Sequence, residues 1–414
     1  MTKNLIILYP YQFNKFLDNL LELGHFRKFT NVEVWDLRKI TGKFDSKNHY
    51  HDCNFNYDLT NNSIFIFIIN VFKLRIKSAE EDYYILNELN YRSPGQLLCN
   101  VIITLLLRKN RVKVIQLCNG GHPYWYKFSD EVKKESKRST LNKIYILFST
   151  NKIKFSIKAI LEYGIAKLGK LLPPSTTHIL VAGSQSQSIA DGGEHAIVRL
   201  FGHTQDYSNA LSAQNYLNSS NTFASSDVIY LDQAWPAFPI DTHTLSLNTL
   251  TSDIWYPALN HFFKLIESTE AVTTKIAGHY KTKHNFKEPL FDCREVFYGE
   301  TRNLISKCKF VVACYSTSIS YAIIYRKPIV FIYSDQYLLN PILIRHIFGL
   351  AEMLGCKPIN IDHFTGEISD YLNIDESKYD NYERIVLSSK ITQRPNFQVI
   401  LEDVMKIDAL KNFS

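Results

Sequence analysis

The sequence predicts an α/β protein of two domains, each a parallel sheet with helices on both faces, and three observations predict it. Short, continuous apolar runs recur along the chain, separated by stretches with helical spacing. With 414 residues, 45% of them hydrophobic, the chain is long enough to bury two cores and too long for one. A Ser- and Asn-rich stretch poor in large apolar residues, 209–226, reads as the linker between them.

The elements follow in order. Residues 4–9 form a continuous apolar strand, and 12–23 carry helical spacing (Phe13, Phe16, Leu17, Leu20, Leu21) that ends at Gly24. Residues 32–37 make a second strand, and 64–71 a third, too uniformly apolar for a sheet edge. Ser93-Pro94 opens a helix through Leu107, with proline in the first turn. Residues 111–117 are a strand that runs into Cys118-Asn119-Gly120-Gly121-His122-Pro123. The segment 124–172 is Lys-rich and amphipathic with an aromatic head at Tyr124, Trp125, Tyr126 and Phe128. Such a helix either lies at a membrane interface or presents a solvated basic face. Past Pro173-Pro174-Ser175, strands follow at 178–182 and 197–201, the second after the turn Asp191-Gly192-Gly193-Glu194.

The second domain opens with a strand at 228–231, then a helix at 257–267 and a strand over 272–277. Residues 309–313 and 329–333 are buried strands around a helix that starts at Ser316-Thr317-Ser318 and stops before Lys327-Pro328. Helical and strand segments at 338–354 and 359–361 precede a terminal helix from 395 to about 410. The organisation is therefore 1–225, 226–394 and a closing helix, 395–414, with no internal repeat.

Composition narrows the partners. A formal charge of +7, dispersed along the chain, suits an anionic substrate or a membrane surface and gives no sign of nucleic acid. Seven cysteines form no CxxC pair, and their odd number argues for free thiols in a reducing cytosol. The first residues lead into a strand with no signal peptide, and the longest apolar stretches fall short of the ~20 residues a bilayer span needs. A cytoplasmic protein is expected, with peripheral contact at the inner face of the cell membrane through 124–172 as the open question.

Two motifs carry chemistry. Gly278-His279 ends a strand ahead of Lys281 and Lys283, where ligands of open parallel sheets gather, so the imidazole and Lys281 are placed to bind a phosphate. The hydroxyl run Ser316, Thr317, Ser318 stands at a helix start, where unpaired amides and side-chain hydroxyls suit an anion; a plain N-cap is the alternative.

With these motifs, residues 272–333 resemble the C-terminal domain of bacterial GT-B glycosyltransferases that use CMP-activated sugars, the sialyltransferase-like and Kdo-transferase-like enzymes of surface polysaccharide assembly. Those families carry a His-Pro motif after a strand and a Ser-Ser/Thr motif at a helix start. Gly278-His279-Tyr280 matches the first except for tyrosine in place of proline, and Ser316-Thr317-Ser318 matches the second. The stretch 298–305 resembles the helix that precedes the hydroxyl turn. The resemblance implies a GT-B fold, two Rossmann-like domains facing a cleft, with the last helix crossing back to the first domain. It also implies a CMP-sugar co-substrate, no other cofactor, and a glycan or glycolipid acceptor in capsule or lipopolysaccharide synthesis. UDP- or GDP-sugar donors, or a non-catalytic nucleotide- or glycan-binding protein, are the alternatives.

Transfer needs a stabilised leaving group and a base for the acceptor hydroxyl. His279, with Ser316 and Lys281, is expected to serve the leaving group. For the base, the turn with Asp191 and Glu194, otherwise a plain surface turn, and the pair His203/Asp206 are the candidates; Asp206 is preferred because it directly follows a strand expected to be buried and stands three residues from His203, which would orient it, with a helix cap as the alternative. Asp232 follows a strand and is placed for the donor sugar or nucleotide, or forms a turn. Glu295 and Glu300 are candidates for the ribose hydroxyls. No DxD signature stands at a strand end, so a metal-independent reaction is expected.

Overall fold

The computed structural model describes residues 3–10, 13, 15–41, 59–61, 63–89, 94–107, 111–118, 176–187, 198–217, 227–233, 250–279, 290–365 and 367–407. The described chain divides into two units. Unit 1 holds the residues up to 209 together with 389–407, and unit 2 holds 210–388.

Seven parallel strands of unit 1 are described: β1 (Lys3–Tyr9), β2 (Asn31–Asp36), β3 (Leu59–Asn61), β4 (Asp82–Asn87), β5 (Lys113–Cys118), β6 (His178–Val181) and β7 (Val198–Phe201). Their spatial order is β3-β2-β1-β4-β5-β6-β7. The chain builds outward from β1 in one direction, then returns to lay β4 against β1 on the other side. That reversal is the topological switch point, and the crevice outside the carboxyl ends of β1 and β4 is where such sheets take ligands.

The β1 and β4 side chains alternate between two cores, as a strand's period of two requires. Leu5, Ile7, Tyr84 and Leu86 face one core, and Ile6, Leu8, Ile85 and Leu89 face the other. The second core is closed by two helices, Ile64–Lys77 and Pro94–Leu107. The first of these corrects the strand expected at 64–71. Ser63 caps it by accepting from the Ile66 amide at 3.4 Å, and Phe67, Val71 and Leu74 are buried at helical intervals. The apolar run reads as a buried strand only because its outward face is apolar too: Phe65 is 76% exposed and Ile76 61%.

The first core is closed by the C-terminal segment. Phe397, Ile400, Leu401, Val404 and Met405 are buried against Leu5, Ile7 and Leu86, and Lys113 donates to the Val404 carbonyl at 2.8 Å. His25 stacks on Phe397 at 4.2 Å. Where one helix was expected over 12–23, the structure has Lys15–Leu20 and a separate turn, Leu23–Phe26. Glu22 between them adopts a left-handed φ of 56°, and the second turn runs through Gly24 instead of stopping there.

Unit 2 has six described parallel strands: β8 (Asp227–Leu231), β9 (Thr273–Gly278), β10 (Val296–Tyr298), β11 (Phe310–Ala313), β12 (Ile329–Tyr333) and β13 (Ile359–Asn360). Their order, β10-β9-β8-β11-β12-β13, repeats the plan of unit 1 with the switch point between β8 and β11. Two Rossmann-like α/β units in one chain are the composition of the GT-B class. The helix Ser252–Glu270 covers one face with Trp255, Leu259, Phe262, Phe263 and Ile266 buried. It begins before the expected Pro257 and carries that proline inside. The supposed linker is corrected as well: Gln205–Leu217 is a helix, and 218–226 lie outside the described residues. Ser208, Asn209 and Ser212 of this helix are buried, and the Asn209 amide reaches the Leu20 carbonyl at 2.9 Å.

Candidate functional site

In unit 2, three adjacent strands end in the residues the sequence singled out. β9 ends in Gly278 and is followed by His279, β8 is followed by Asp232 and Gln233, and β11 by Cys314 and the hydroxyl turn. With β8 between β9 and β11, strand spacing separates the outer two by about 10 Å. Asp232 lies in the middle, with its amide donating to the Ala277 carbonyl at 3.1 Å. Gln233 crosses the switch point: its Oε1 accepts from the Tyr315 amide at 3.2 Å.

The hydroxyl turn is built differently from a helix-tip seat. The helix that follows, Ile319–Ile324, is six residues long, too short for much macrodipole. Ser318 stands at its N-cap without a side-chain cap bond, and the amides of Ser318, Ile319 and Ser320 are spent inside the turn. Ser316 Oγ takes the Ser318 amide at 3.2 Å, and Ser320 Oγ donates to the Thr317 carbonyl at 2.7 Å. The amides of Ser316 and Thr317 donate to no acceptor among the described residues, and Thr317 is exposed. Two consecutive amides flanked by hydroxyls form a small anion seat.

Asp232, 7% exposed, is set among phenols and a thiol. Burial first, and the Asp232 charge after it, raise Tyr256 and Tyr298. Burial pushes the Cys314 thiol up to about 12, and Tyr230 and Tyr337 lie well above the usual phenol range. All five groups stay protonated at neutral pH, and the Tyr337 hydroxyl donates to the Cys314 thiol. Tyr298 also explains Gly278: a Cβ there would lie 2.7 Å from the Tyr298 ring, so only glycine fits beneath it. His346 packs against Tyr315 with the rings tilted and their centroids 4.9 Å apart, and burial lowers its pKa to about 4, which keeps it neutral.

His279 is half-buried at the site. Glu300 is exposed; it precedes the helix Thr301–Lys307 and accepts from the Asn303 side chain at 2.8 Å. Glu295 is exposed as well, and its carbonyl serves the β9 ladder. Lys281, Lys283, Tyr280, Asp191, Glu194 and the segment 124–172 lie outside the described residues. Sequence reasoning missed Gln233, Tyr256, Tyr298, Tyr315 and His346. Only Gln233, beside Asp232 at a strand end, carried a local signal.

His203 and Asp206 belong to unit 1, and their surroundings correct the picture of a buried strand feeding them. β7 is the described edge of its sheet and is half-exposed to exposed along its length. Past it the C-terminal segment docks. Asn396 Oδ1 accepts from the His203 amide at 3.0 Å, its Nδ2 donates to the His203 carbonyl at 2.8 Å, and Ser389 donates to the Gly202 carbonyl. A Cβ on Gly202 would lie 2.7 Å from Asn396 Oδ1. The His203 ring is buried and stacks on Tyr207 at 4.8 Å. Asp206 is half-buried in the first turn of Gln205–Leu217, where a carboxylate complements the helix dipole. The described cysteines are free thiols, no cluster of metal-ligating side chains occurs among the described residues, and no described helix is long and apolar enough to cross a membrane.

No protein-family model matches the chain, and no curated protein matches it. Among solved structures, a UDP-N-acetylglucosamine 2-epimerase from Rickettsia bellii is similar over 98% of this chain and 100% of its own, at 10% identity and a TM-score of 0.45. MurG from Acinetobacter baumannii is similar over 98% and 100%, at 8% identity and a TM-score of 0.43. A glycosyltransferase of kitacinnamycin is similar over 92% and 94%, at 10% identity and 0.41. The fold assignment rests on the two strand orders and needs none of these likenesses.

Proposed function

We propose that this protein is a glycosyltransferase that moves a sugar, a sialic acid-like nonulosonic acid or Kdo, from a CMP donor to a glycan acceptor. The observation that carries the reading is the convergence at one switch point: His279, Asp232 with Gln233, and the Ser316-Thr317 turn follow three neighbouring strands. In this reading the donor phosphate sits on the Ser316 and Thr317 amides, with His279 at its side. Asp232, with its fringe of protonated phenols, takes the hydroxyls of the ribose or sugar, and Glu300 lies further out. As the acceptor oxygen bonds to the anomeric carbon its proton passes to a general base, the bond to the phosphate oxygen breaks and the electron pair leaves on CMP. His279 and the amide pair stabilise that charge. Lys281 and the metal-independence of the reaction belong to the same proposal, as does action at the inner face of a membrane. The CMP donor itself comes from the resemblance of Gly278-His279 and Ser316-Thr317-Ser318.

Calorimetry with CMP, UDP and GDP, with CMP release from CMP-sugars, tests it. CMP is expected to bind tightest, and His279→Ala to slow turnover by about 10²–10³, the usual effect of deleting one leaving-group stabiliser. A preference for UDP or GDP moves the protein to another donor class. Binding without turnover for any donor makes it a nucleotide-binding protein.

A further inference from the structure

We propose that the outward face of the helix Ile64–Lys77 is the membrane-docking surface of unit 1, and that its occupant is a bilayer bearing anionic headgroups. The inference deepens the membrane part of the reading above. It is carried by unit 1 alone and uses nothing of the nucleotide site.

The helix has two apolar faces, and the fold uses one of them. Phe67, Val71 and Leu74, spaced four and three apart, are buried in the core beside the sheet, with Phe67 edge-on to Trp35 at a centroid distance of 6.0 Å. That packing fixes the rotation of the helix, and so fixes what points away. Phe65, Ile69, Phe72 and Ile76 repeat at intervals of four, three and four on the opposite side. All four are exposed, Phe65 by 76% and the others by 50% or more, and the exposed Ile66 and Ile68 widen the stripe. Together the six expose roughly 600 Å², the upper end of the largest apolar patch on an ordinary monomer. A helix that only had to cover the sheet would carry polar residues on this side.

Charge names the occupant. At about 100° per residue, Lys73 and Lys77 flank the stripe on one side and Arg75 on the other. All three are exposed, and the helix contains no acidic residue. Apolar side chains between cations match a bilayer surface, where the first enter the acyl boundary and the second meet headgroup phosphates. The carboxylates nearest in sequence, Glu80 and Glu81, lie beyond the helix end, and Glu81 is engaged by Asn4 at 3.1 Å and Tyr83 at 2.8 Å. A second copy fits less well. Meeting this face with its own, it would set the three cations against their like, with no carboxylate in the helix to answer them. The area also falls short of the ~800 Å² that each partner of a standard interface buries.

The test is co-sedimentation of the full chain with vesicles of phosphatidylcholine alone, and of phosphatidylcholine and phosphatidylglycerol in equal parts. Binding is expected to the anionic vesicles only, and to weaken with salt. The combined variant Phe65→Gln, Ile69→Gln and Phe72→Gln keeps good helix formers and should lower partitioning by ~10² or more. Its melting temperature and its CMP affinity in solution should match wild type. Lys73→Gln with Lys77→Gln should cost about fivefold per cation. Leu338→Gln with Leu339→Gln, an exposed apolar pair in unit 2, should leave vesicle binding intact. Wild-type protein that binds no vesicle, or binds neutral vesicles equally, overturns the proposal. So does a triple variant that binds as wild type does, which moves the contact elsewhere in the chain. A lower melting temperature in that variant means the chain itself covers the face, and a wild-type dimer that the variant dissolves makes it an interface between copies; either result also overturns the proposal. Vesicle binding that depends on this helix in a protein that binds no CMP removes the transferase reading and supports the surface.

Discussion

Unit 1 and unit 2 lay down their strands in the same order, yet the residues that follow the paired strands at the two switch points are chemically opposite. After β8 and β11 come Asp232, Gln233 and a hydroxyl turn, with Gln233 accepting from the Tyr315 amide across the seam and protonated phenols around Asp232. After β4 comes one carboxyl, that of Glu88, whose Oε1 nothing bonds. The first crevice is lined by polar groups that are bonded or held protonated. The second is left under-satisfied. Topology decides where a ligand goes in these sheets, and the side chains at that address decide what happens to it.

The comparison breaks most easily at Asp232. Asp232→Asn is expected to cost about 10² in turnover and to weaken nucleotide-sugar binding in calorimetry, whereas Glu88→Gln leaves binding alone; equal losses of affinity in both would erase the distinction. Next, Gly278→Val drives a branched side chain into the space of Tyr298 and Val296. It should cost about 2–3 kcal/mol in urea unfolding, the range for overpacking, with no counterpart at the open Gly24.

Opposite pH slopes come third. Glu88, raised from 4.5 to about 7, binds its proton more tightly folded than unfolded, so its contribution is favourable in acid and is lost as pH climbs from about 4.5 to 7. His346, lowered from 6.5 to about 4, binds its proton less tightly folded, so stability is lost as pH falls through that window. Each amounts to roughly 3 kcal/mol. Hydrogen exchange resolved by unit should show unit 1 gaining protection toward pH 5 and unit 2 losing it, and Glu88→Gln should flatten the first trend. Parallel slopes in the two units would count against both assignments. The smallest effect belongs to Thr317→Ala, about threefold in CMP affinity, the worth of one exposed neutral hydrogen bond.

Much of unit 2 was legible because buried parallel strands are continuous apolar runs, and 228–231, 309–313 and 329–333 read as nothing else. The same rule failed at Ile64, where a helix with two apolar faces imitates a buried strand, and the length of the run to Lys77 was the signal for a helix. That error had a cost. With 64–71 taken as the third strand, β4 was passed over behind the acidic Glu80-Glu81-Asp82, and Glu88 with it. That the strand ahead of His203 and Asp206 is a half-exposed edge was not legible, because strand order is not written in local pattern. The partners of Asp232 come from β10, β11 and two helices, a convergence no spacing rule reveals.

The clasp of residues 389–407 on unit 1 has a consequence for synthesis. Until Phe397 and its neighbours leave the ribosome, Leu5, Ile7 and Leu86 lack their cover. The sheet made first is therefore completed last, and the later-made unit 2 can mature before it. During translation the nascent amino-terminal half therefore exposes apolar surface that the finished chain covers.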